Sequence, residues 1–309
     1  MTMNEAQGAV VVGYDGRPHS DVALWWAARH AAQVERPLLV VHACGVPGGY
    51  AGSADGAALT VGRVDLRAQG QVVLDKGLAK VEGIDPSLEY RGHLEVGDPK
   101  DVLEDAASSG AYLMVVGTRR HGRVVAYLLG SVSEDLSHAA ACPVVVVREH
   151  EVPDQHSPYF GRVVVGLDGT DSSTIALEAA FAFAELEGRP LAVLHARDDA
   201  GRWRDRSTGA EDYGPGDLEA HLGEKLVACT ADHPEVPVTL HPVEADPRWA
   251  LVDASRHAHL VVVGSRGRGD TEAFVRGSVS RYVLEHAHGP VLVARSPSRK
   301  AHTADDARS

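Results

Sequence analysis

Two turns of the sequence place an aspartate between glycines, each directly after an apolar run. The first reads Gly13-Tyr14-Asp15-Gly16, and the second reads Gly166-Leu167-Asp168-Gly169. Neither has the Gly-x-Gly-x-x-Gly spacing of a dinucleotide-binding turn, and a carboxylate here would repel a pyrophosphate. Asp15 and Asp168 are better suited to accept hydrogen bonds from ribose hydroxyls or an adenine amine, or to help hold a cation. The alternative is an Asp-Gly pair that only forms a turn. The recurrence of the aspartate at the matching position in both halves favours a ligand-binding role.

A second type of turn, rich in glycine, arginine and serine, also occurs twice and is suited to bind an anion. Glycines let the backbone approach a phosphate closely, and the N–H groups at a helix N-terminus favour negative charge. The alternative is a glycine-rich loop before a serine-capped helix, which is common in every fold. The residues of this turn are Gly264, Arg266, Gly267, Gly269, Gly277, Ser278, Val279 and Ser280 in the second half of the chain, and Gly117, Arg119, Arg120, Gly122, Gly130, Ser131, Val132 and Ser133 in the first.

The two glycine-rich turns differ at one position, where the first half has Arg120 and the second has Gly267. A side chain at position 120 could block the close approach of the backbone to a phosphate. The guanidinium could also pair with the phosphate directly and replace the lost N–H contacts. Both outcomes remain open, so the second site ranks as the more secure of the two.

These turns belong to an internal repeat that covers most of the chain. Residues 10–16 read VVVGYDG and residues 163–169 read VVVGLDG, while residues 115–133 match residues 262–280. A period of about 150 residues is the length of a whole domain and too long for a solenoid repeat. We therefore expect one domain at residues 1–150, a second at residues 159–297, and a flexible tail at residues 298–309.

Each copy alternates short apolar runs with segments of helical pattern. The runs are rich in valine and mostly continuous, which is typical of parallel strands buried on both faces. The pattern predicts two tandem α/β domains, each with a doubly wound sheet whose ligand lies beyond the carboxyl ends of the strands. We also expect a helix capped by Ser20, a helix that begins at Pro99, and long loops at residues 45–62 and 198–215.

The composition sets limits on the class of protein. The 309 residues carry 30 Lys and Arg against 43 Asp and Glu, a formal net charge of −13. Such a surface argues against nucleic acid or an anionic membrane as a partner, because both need a basic footprint. Apolar residues make up 44% of the chain, enough for ordinary globular cores, and no apolar run approaches the roughly 20 residues of a membrane helix.

The cysteines and histidines suggest structural roles. Three cysteines do not form a disulfide framework, and the first residues lack the pattern of a signal peptide, so we expect a cytoplasmic protein. Cys142 is expected to be a core thiol. His42 and His195, each at the end of a predicted strand, are expected to pack or hydrogen-bond rather than catalyse. No ligand spacing indicates a metal site.

The combination of Val-Gly-x-Asp-Gly after the first strand and Gly-x2-Gly-x9-Gly-Ser after the fourth resembles the universal stress protein family, in its tandem two-domain form. The resemblance covers roughly residues 8–148 and 161–295. It implies an ATP-binding module with five parallel strands in each domain, of the adenine nucleotide alpha hydrolase-like type. It also implies pairing of the two domains through their last strands, residues 144–147 and 291–293, and a homodimer is a further expectation.

By that resemblance, the aspartates meet the ribose or adenine end of the nucleotide and the backbone after the second strand faces the adenine. The glycine-rich turn and its serines would then surround ribose and phosphates. The residues so implied are Asp168, Ala196, Gly264, Gly267, Gly277, Ser278 and Ser280, with Gly166 in the same turn as Asp168, and in the first copy Gly13, Asp15, Ala43, Gly117, Gly130, Ser131 and Ser133.

Three functional hypotheses follow. The chain has no Gly-x4-Gly-Lys-Ser/Thr loop and nothing like the protein-kinase signature set. The first hypothesis is therefore a regulatory protein that binds ATP, with Mg²⁺ held mainly by the phosphate oxygens. The second is a slow ATPase or phosphotransferase, and the third is a scaffold whose sites bind no nucleotide.

Overall fold

The computed structural model describes residues 5–45, 56–118, 131–149, 153–168, 171–197, 215–265 and 278–295. The chain divides into two compact units, with the boundary after Arg148. The tail expected at residues 298–309 lies outside the described residues.

Unit 1 is a five-stranded parallel sheet with helices between its strands. Its elements are β1 (Val10–Gly13), α1 (Pro18–Gln33), β2 (Leu38–Cys44), α2 (Gly56–Ile84), β3 (Tyr90–Val96), α3 (Pro99–Ser108), β4 (Leu113–Gly117), α4 (Ser131–Ala139) and β5 (Val144–Val147). The strand order is β3-β2-β1-β4-β5, and each neighbouring pair is parallel.

Unit 2 repeats this arrangement. Its elements are β6 (Val163–Gly166), α5 (Asp171–Leu186), β7 (Leu191–Arg197), α6 (Pro215–Asp232), β8 (Val238–Glu244), α7 (Pro247–Ala254), β9 (Leu260–Gly264), α8 (Ser278–His286) and β10 (Val291–Ala294). The strand order is β8-β7-β6-β9-β10, again with parallel neighbours. The α/β class with five parallel strands in each unit is therefore confirmed.

The valine runs behave as the sequence pattern predicts. Val10, Val11 and Val12 of β1 have no exposed surface, and Val163, Val164 and Val165 of β6 have none either. Both faces of these central strands are covered, which is why their sequences do not alternate with polar residues. Cys142 is also buried, as expected of a core thiol.

Two local predictions about helices come out differently. The helix expected at Pro99 is confirmed, and Asp98 caps it by accepting the Lys100 N–H at 2.9 Å. The cap expected at Ser20 is wrong, because α1 already begins at Pro18, whose fixed φ suits the first helical position. Ser20 lies inside the first turn, where its hydroxyl donates to the carbonyl oxygen of Arg17 at 2.9 Å.

The loop expected at residues 45–62 is wrong for residues 56–62, which belong to α2, while residues 46–55 lie outside the described residues. That helix spans 29 residues. No helix within the described ranges is both long and apolar enough to cross a membrane.

Glycines at the strand ends allow close packing at the carboxyl edge of each sheet. A Cβ at Gly13 would lie 3.0 Å from Leu103 of α3, and a Cβ at Gly166 would lie 2.9 Å from Leu251 of α7. A Cβ at Gly117 would lie only 2.3 Å from the carbonyl oxygen of His19. The first turn of α1 therefore rests directly against the end of β4.

This contact predicts that Gly117→Ala destabilises unit 1. The new methyl group would press on backbone rather than on a flexible side chain, so we expect a loss of about 2 kcal/mol or more in the free energy of unfolding. Urea denaturation followed by circular dichroism measures it. Gly83→Ala in α2 is the control, since a Cβ there meets nothing within 4 Å. A Gly117→Ala chain as stable as the control would contradict the predicted clash.

Candidate functional site

In each unit, the connections out of the sheet diverge at one point. β1 lies between β2 and β4, and β4 lies between β1 and β5. The chain therefore leaves β1 toward one side of the sheet and leaves β4 toward the other. The two turns separate at the carboxyl ends of neighbouring strands, which is where ligands bind in doubly wound sheets. β6 and β9 repeat this arrangement in unit 2.

Asp15 lies in the first of these turns and is surrounded by hydrogen-bond donors and cations. Its carboxylate accepts the Arg17 N–H at 3.1 Å, and its other oxygen lies 3.2 Å from His19 Nε2 and 3.8 Å from Arg17 Nε. The side chain keeps 36% of its surface exposed. Partial burial acts to raise the pKa of Asp15, but hydrogen bonds from Ser20 and Arg17 and the charges of His19 and Arg17 together lower it. Asp15 is therefore an ionised acceptor that solvent can reach.

The strand-end histidines hold the same turn from the neighbouring strand. His42 Nδ1 lies 2.7 Å from the carbonyl oxygen of Tyr14, and His195 Nδ1 lies 3.0 Å from that of Leu167. The expected hydrogen-bonding role of His42 and His195 is thus confirmed. Ala43 and Ala196 follow these histidines at the carboxyl ends of β2 and β7.

The second turn connects β4 to α4 in unit 1, and β9 to α8 in unit 2. Ser133, which is buried in the first turn of α4, donates a hydrogen bond to the carbonyl oxygen of Gly117 at 3.2 Å. The hydroxyl of Ser133 therefore ties α4 to the end of β4. Thr118 is also buried, and within the described part of the chain its hydroxyl has no hydrogen-bond partner. In unit 2 the position of Thr118 is taken by Ser265, whose hydroxyl donates to the carbonyl oxygen of Ala294 at 3.0 Å.

The structure brings many of the predicted site residues to the carboxyl edges of the two sheets. In unit 1 these are Gly13, Asp15, Ala43, Gly117, Ser131, Val132 and Ser133, and in unit 2 they are Gly166, Asp168, Ala196, Gly264, Ser278, Val279 and Ser280. Predicted site residues outside the described ranges are Arg119, Arg120, Gly122, Gly130, Arg266, Gly267, Gly269 and Gly277. The contrast between Arg120 and Gly267 therefore stays a prediction.

Unit 1 has a polar cluster beside the site that the sequence did not indicate. The buried Tyr14 hydroxyl donates to Asp21 at 2.9 Å, and Lys80 of α2 contacts the same carboxylate. Burial and the negative charge of Asp21 raise the pKa of Tyr14 well above its ordinary value. Unit 2 has Leu167 at the position of Tyr14, and there Lys225 bonds to Thr174.

His257 and His259 lie in the connection between α7, which ends at Ala254, and β9. His257 Nδ1 accepts the Asp154 N–H at 3.0 Å, and His259 contacts Glu187. Among the residues that the structure describes, no three histidine, cysteine or acidic side chains are grouped so that they could hold a metal ion.

The environment of Asp15 predicts a pH-dependent contribution to stability. A carboxylate whose pKa is lowered by folding stabilises the fold above the unfolded pKa of about 3.9 and loses this effect as the pH falls through the lower folded value. We expect Asp15→Asn to lower the free energy of unfolding by less than about 1 kcal/mol at pH 7, because the side chain is partly exposed. Below pH 4 the stability of the variant should approach that of wild type. Urea denaturation from pH 7 to pH 3 measures the difference, and a gap that widens with acidity would contradict the assignment.

Comparison with known proteins relates both units to one family. The model of the universal stress protein family matches residues 8–148 and residues 160–295. A universal stress protein of Mycobacterium tuberculosis is 35% identical over 312 residues, covering 96% of this chain and 99% of that protein. One from Mycolicibacterium smegmatis is 32% identical over 309 residues, covering 96% of this chain and 99% of that protein.

A solved structure has the same fold along most of the chain. The crystal structure of a universal stress protein from Archaeoglobus fulgidus superposes with a TM-score of 0.70 at 21% identity, covering 93% of this chain and 98% of that one. Since the family model matches both units, and relatives are similar over nearly their whole length, this chain belongs to the universal stress protein family and contains the family's domain twice.

Proposed function

We propose that this protein is an ATP-binding regulator of the stress response, with one nucleotide site in each unit. The observation that carries the proposal is the position of the two turns. In each unit the aspartate turn and the connection to a nine-residue helix leave neighbouring strands at the switch point of the sheet, and in unit 1 Ser133 of that helix bonds back to Gly117 at the end of β4. This arrangement supports a site in which an acceptor for sugar hydroxyls and donors suited to phosphate would serve one ligand.

The residues fit an adenine nucleotide in chemical terms. Asp15 is ionised and keeps a solvent-exposed part, so its oxygens can accept hydrogen bonds from ribose hydroxyls. The first backbone N–H groups of α4 and α8 have no partner within their own helix, and the helix dipole favours an anion there. The main chain at Ala43 and Ala196 would supply donors and acceptors to the adenine edge.

A bound nucleotide would bring its own metal chemistry. Mg²⁺ would neutralise phosphate charge and take most of its ligands from phosphate oxygens and water. The role of the protein is then to hold the nucleotide, whose phosphates hold the Mg²⁺.

The state of Asp15 does not suit a general base for ATP hydrolysis in unit 1. A catalytic base needs a pKa near the working pH, and enzymes raise the pKa of carboxylates to reach it. The pKa of Asp15 is lowered instead, because Ser20, Arg17 and His19 outweigh the effect of burial. Asp15 is therefore a weaker base than an ordinary aspartate.

The place of action and the assembly are further parts of the proposal. We propose a cytoplasmic location, which agrees with three cysteines and no predicted disulfide framework. A net charge of −13 supports a small ligand rather than a nucleic acid as the partner. Pairing of the two domains and formation of a homodimer stay predictions.

Removing either aspartate is expected to weaken one of two sites. Isothermal titration of wild type with ATP and Mg²⁺ should give two nucleotides per chain, while Asp15→Ala and Asp168→Ala should each weaken one site by about tenfold, the effect of losing a hydrogen bond to a charged group. Asp85→Ala is the control, because Asp85 accepts the N–H of Ser87 at 2.9 Å in the same kind of turn and lies on the surface. A wild-type chain that retains no adenine nucleotide would favour the scaffold hypothesis.

We expect bound ATP to stay intact. In a single-turnover incubation with radiolabelled ATP and Mg²⁺, the wild-type protein should not convert its bound ATP to ADP. The incubation should last several times longer than a slow ATPase needs for one turnover. Rapid stoichiometric release of ADP that Asp168→Ala abolishes would establish an enzyme instead. Asp85→Ala again serves as the control for an effect of mutation in general.

A further inference from the structure

Two histidines hold the backbone immediately before the candidate ligand-binding aspartates. The distance from His42 Nδ1 to the carbonyl oxygen of Tyr14 is 2.7 Å, and that from His195 Nδ1 to the carbonyl oxygen of Leu167 is 3.0 Å. We propose that His42 and His195 are positioning residues, which fix the turns of Asp15 and Asp168 in their ligand-binding conformation. This inference rests on the nucleotide-binding function proposed above.

The protonation of the two rings follows from the chemistry of their partner. A carbonyl oxygen can only accept a hydrogen bond, so Nδ1 of each histidine must carry a hydrogen and donate it. In the neutral ring this fixes the tautomer with hydrogen on Nδ1, and Nε2 then has a lone pair. The tautomer is an observable consequence that does not depend on any bound ligand.

In unit 1 one peptide group is held at both of its ends. His42 donates to the carbonyl oxygen of Tyr14, and the N–H of Asp15, in the same peptide group, donates to the buried Ser20 hydroxyl at 3.3 Å. The peptide group is planar and rigid, so two contacts on opposite edges set its rotation. The position of the Asp15 Cα, from which the side chain leaves the backbone, is thereby restrained.

The strand pairing brings each histidine to this place. The N–H of Tyr14 donates to the carbonyl oxygen of Val41 at 2.9 Å, and the N–H of Leu167 donates to that of Leu194 at 3.0 Å. The main chain after β1 and β6 thus continues the parallel ladder for one more residue. The next residue along β2 or β7 is the histidine, and its ring reaches the following carbonyl group.

The same bond occurs in both units although the residue that supplies the carbonyl group differs. Tyr14 is part of a polar cluster with Asp21, whereas Leu167 has an apolar side chain. The histidine therefore contacts a feature of the backbone that both turns share. His195 is 8% exposed, so water does not readily replace its bond. A turn held in its bound conformation loses less entropy when the ligand binds.

The test compares two substitutions at each histidine in the full-length protein. Leucine removes the donor, while the amide of asparagine places an N–H close to the position of Nδ1–H. We expect His42→Leu and His195→Leu each to weaken one ATP site by about tenfold in isothermal titration, the effect of losing one buried hydrogen bond. The unaltered unit supplies the reference site. We expect His42→Asn and His195→Asn to restore most of that affinity.

Ser255→Ala is the matched control for general destabilisation. Ser255 is fully buried, accepts the N–H of His288 at 2.9 Å and donates to Val252, at the end of α7 opposite the carboxyl edge of the sheet. Its loss should lower the free energy of unfolding and leave ATP affinity unchanged. Leucine variants that bind ATP as wild type does would overturn the positioning role and leave the proposed function standing.

The tautomer provides a second readout that remains available if a leucine variant does not fold. ¹⁵N NMR of the wild-type protein without nucleotide should show hydrogen on Nδ1 of His42 and His195. Hydrogen on Nε2 alone would overturn the inference whatever the ligand. A wild-type chain that binds no adenine nucleotide would overturn the proposed function, and the inference with it.

Discussion

The contact between Gly117 and the carbonyl oxygen of His19 is the constraint on which the site of unit 1 depends. A Cβ at Gly117 would come within 2.3 Å of that oxygen, so only glycine lets α1 begin against the end of β4. The β1–α1 turn with Asp15 and the first turn of α4, where Ser133 bonds to Gly117, are thereby brought together. The distance that a nucleotide would have to span is therefore set by backbone contact between two elements that are far apart in the sequence.

The two units keep the backbone of the site and differ in the side chains around it. Unit 1 surrounds Asp15 with Arg17 and His19, and it joins α1 to α2 through Tyr14, Asp21 and Lys80. Unit 2 has Leu167 and Thr174 in place of the tyrosine and the aspartate, with Lys225 bonded to Thr174. A duplicated domain can vary in this way because the strand pairing and the glycines at the strand ends maintain the geometry, whereas the side chains adjust local charge.

Much of the fold could be predicted from residue pattern because buried parallel strands leave a strong local signal. The valine runs at β1, β5 and β6 are close to the observed strands, and Pro99 begins a helix as expected. The cap at Ser20 could not be predicted reliably, because the hydroxyl of Ser20 has alternative partners and Pro18 starts the helix two residues earlier. The contact between Asp15 and His19 could not be predicted either, because an aspartate and a histidine four residues apart occur equally on exposed helix turns where they make no contact.

The sequence by itself determined the duplication, the α/β class, and the placement of an aspartate and a glycine-rich turn after the first and fourth strands of each unit. Periodicity and recurrence report these features, since both are properties of neighbouring or repeated residues. Only the tertiary structure decided that His42 and His195 hold the aspartate turns, each across 28 residues of chain, and that the pKa of Asp15 is lowered. Those outcomes depend on strand register and on the distances between groups that folding brings together. The order of residues along the chain does not specify either of them.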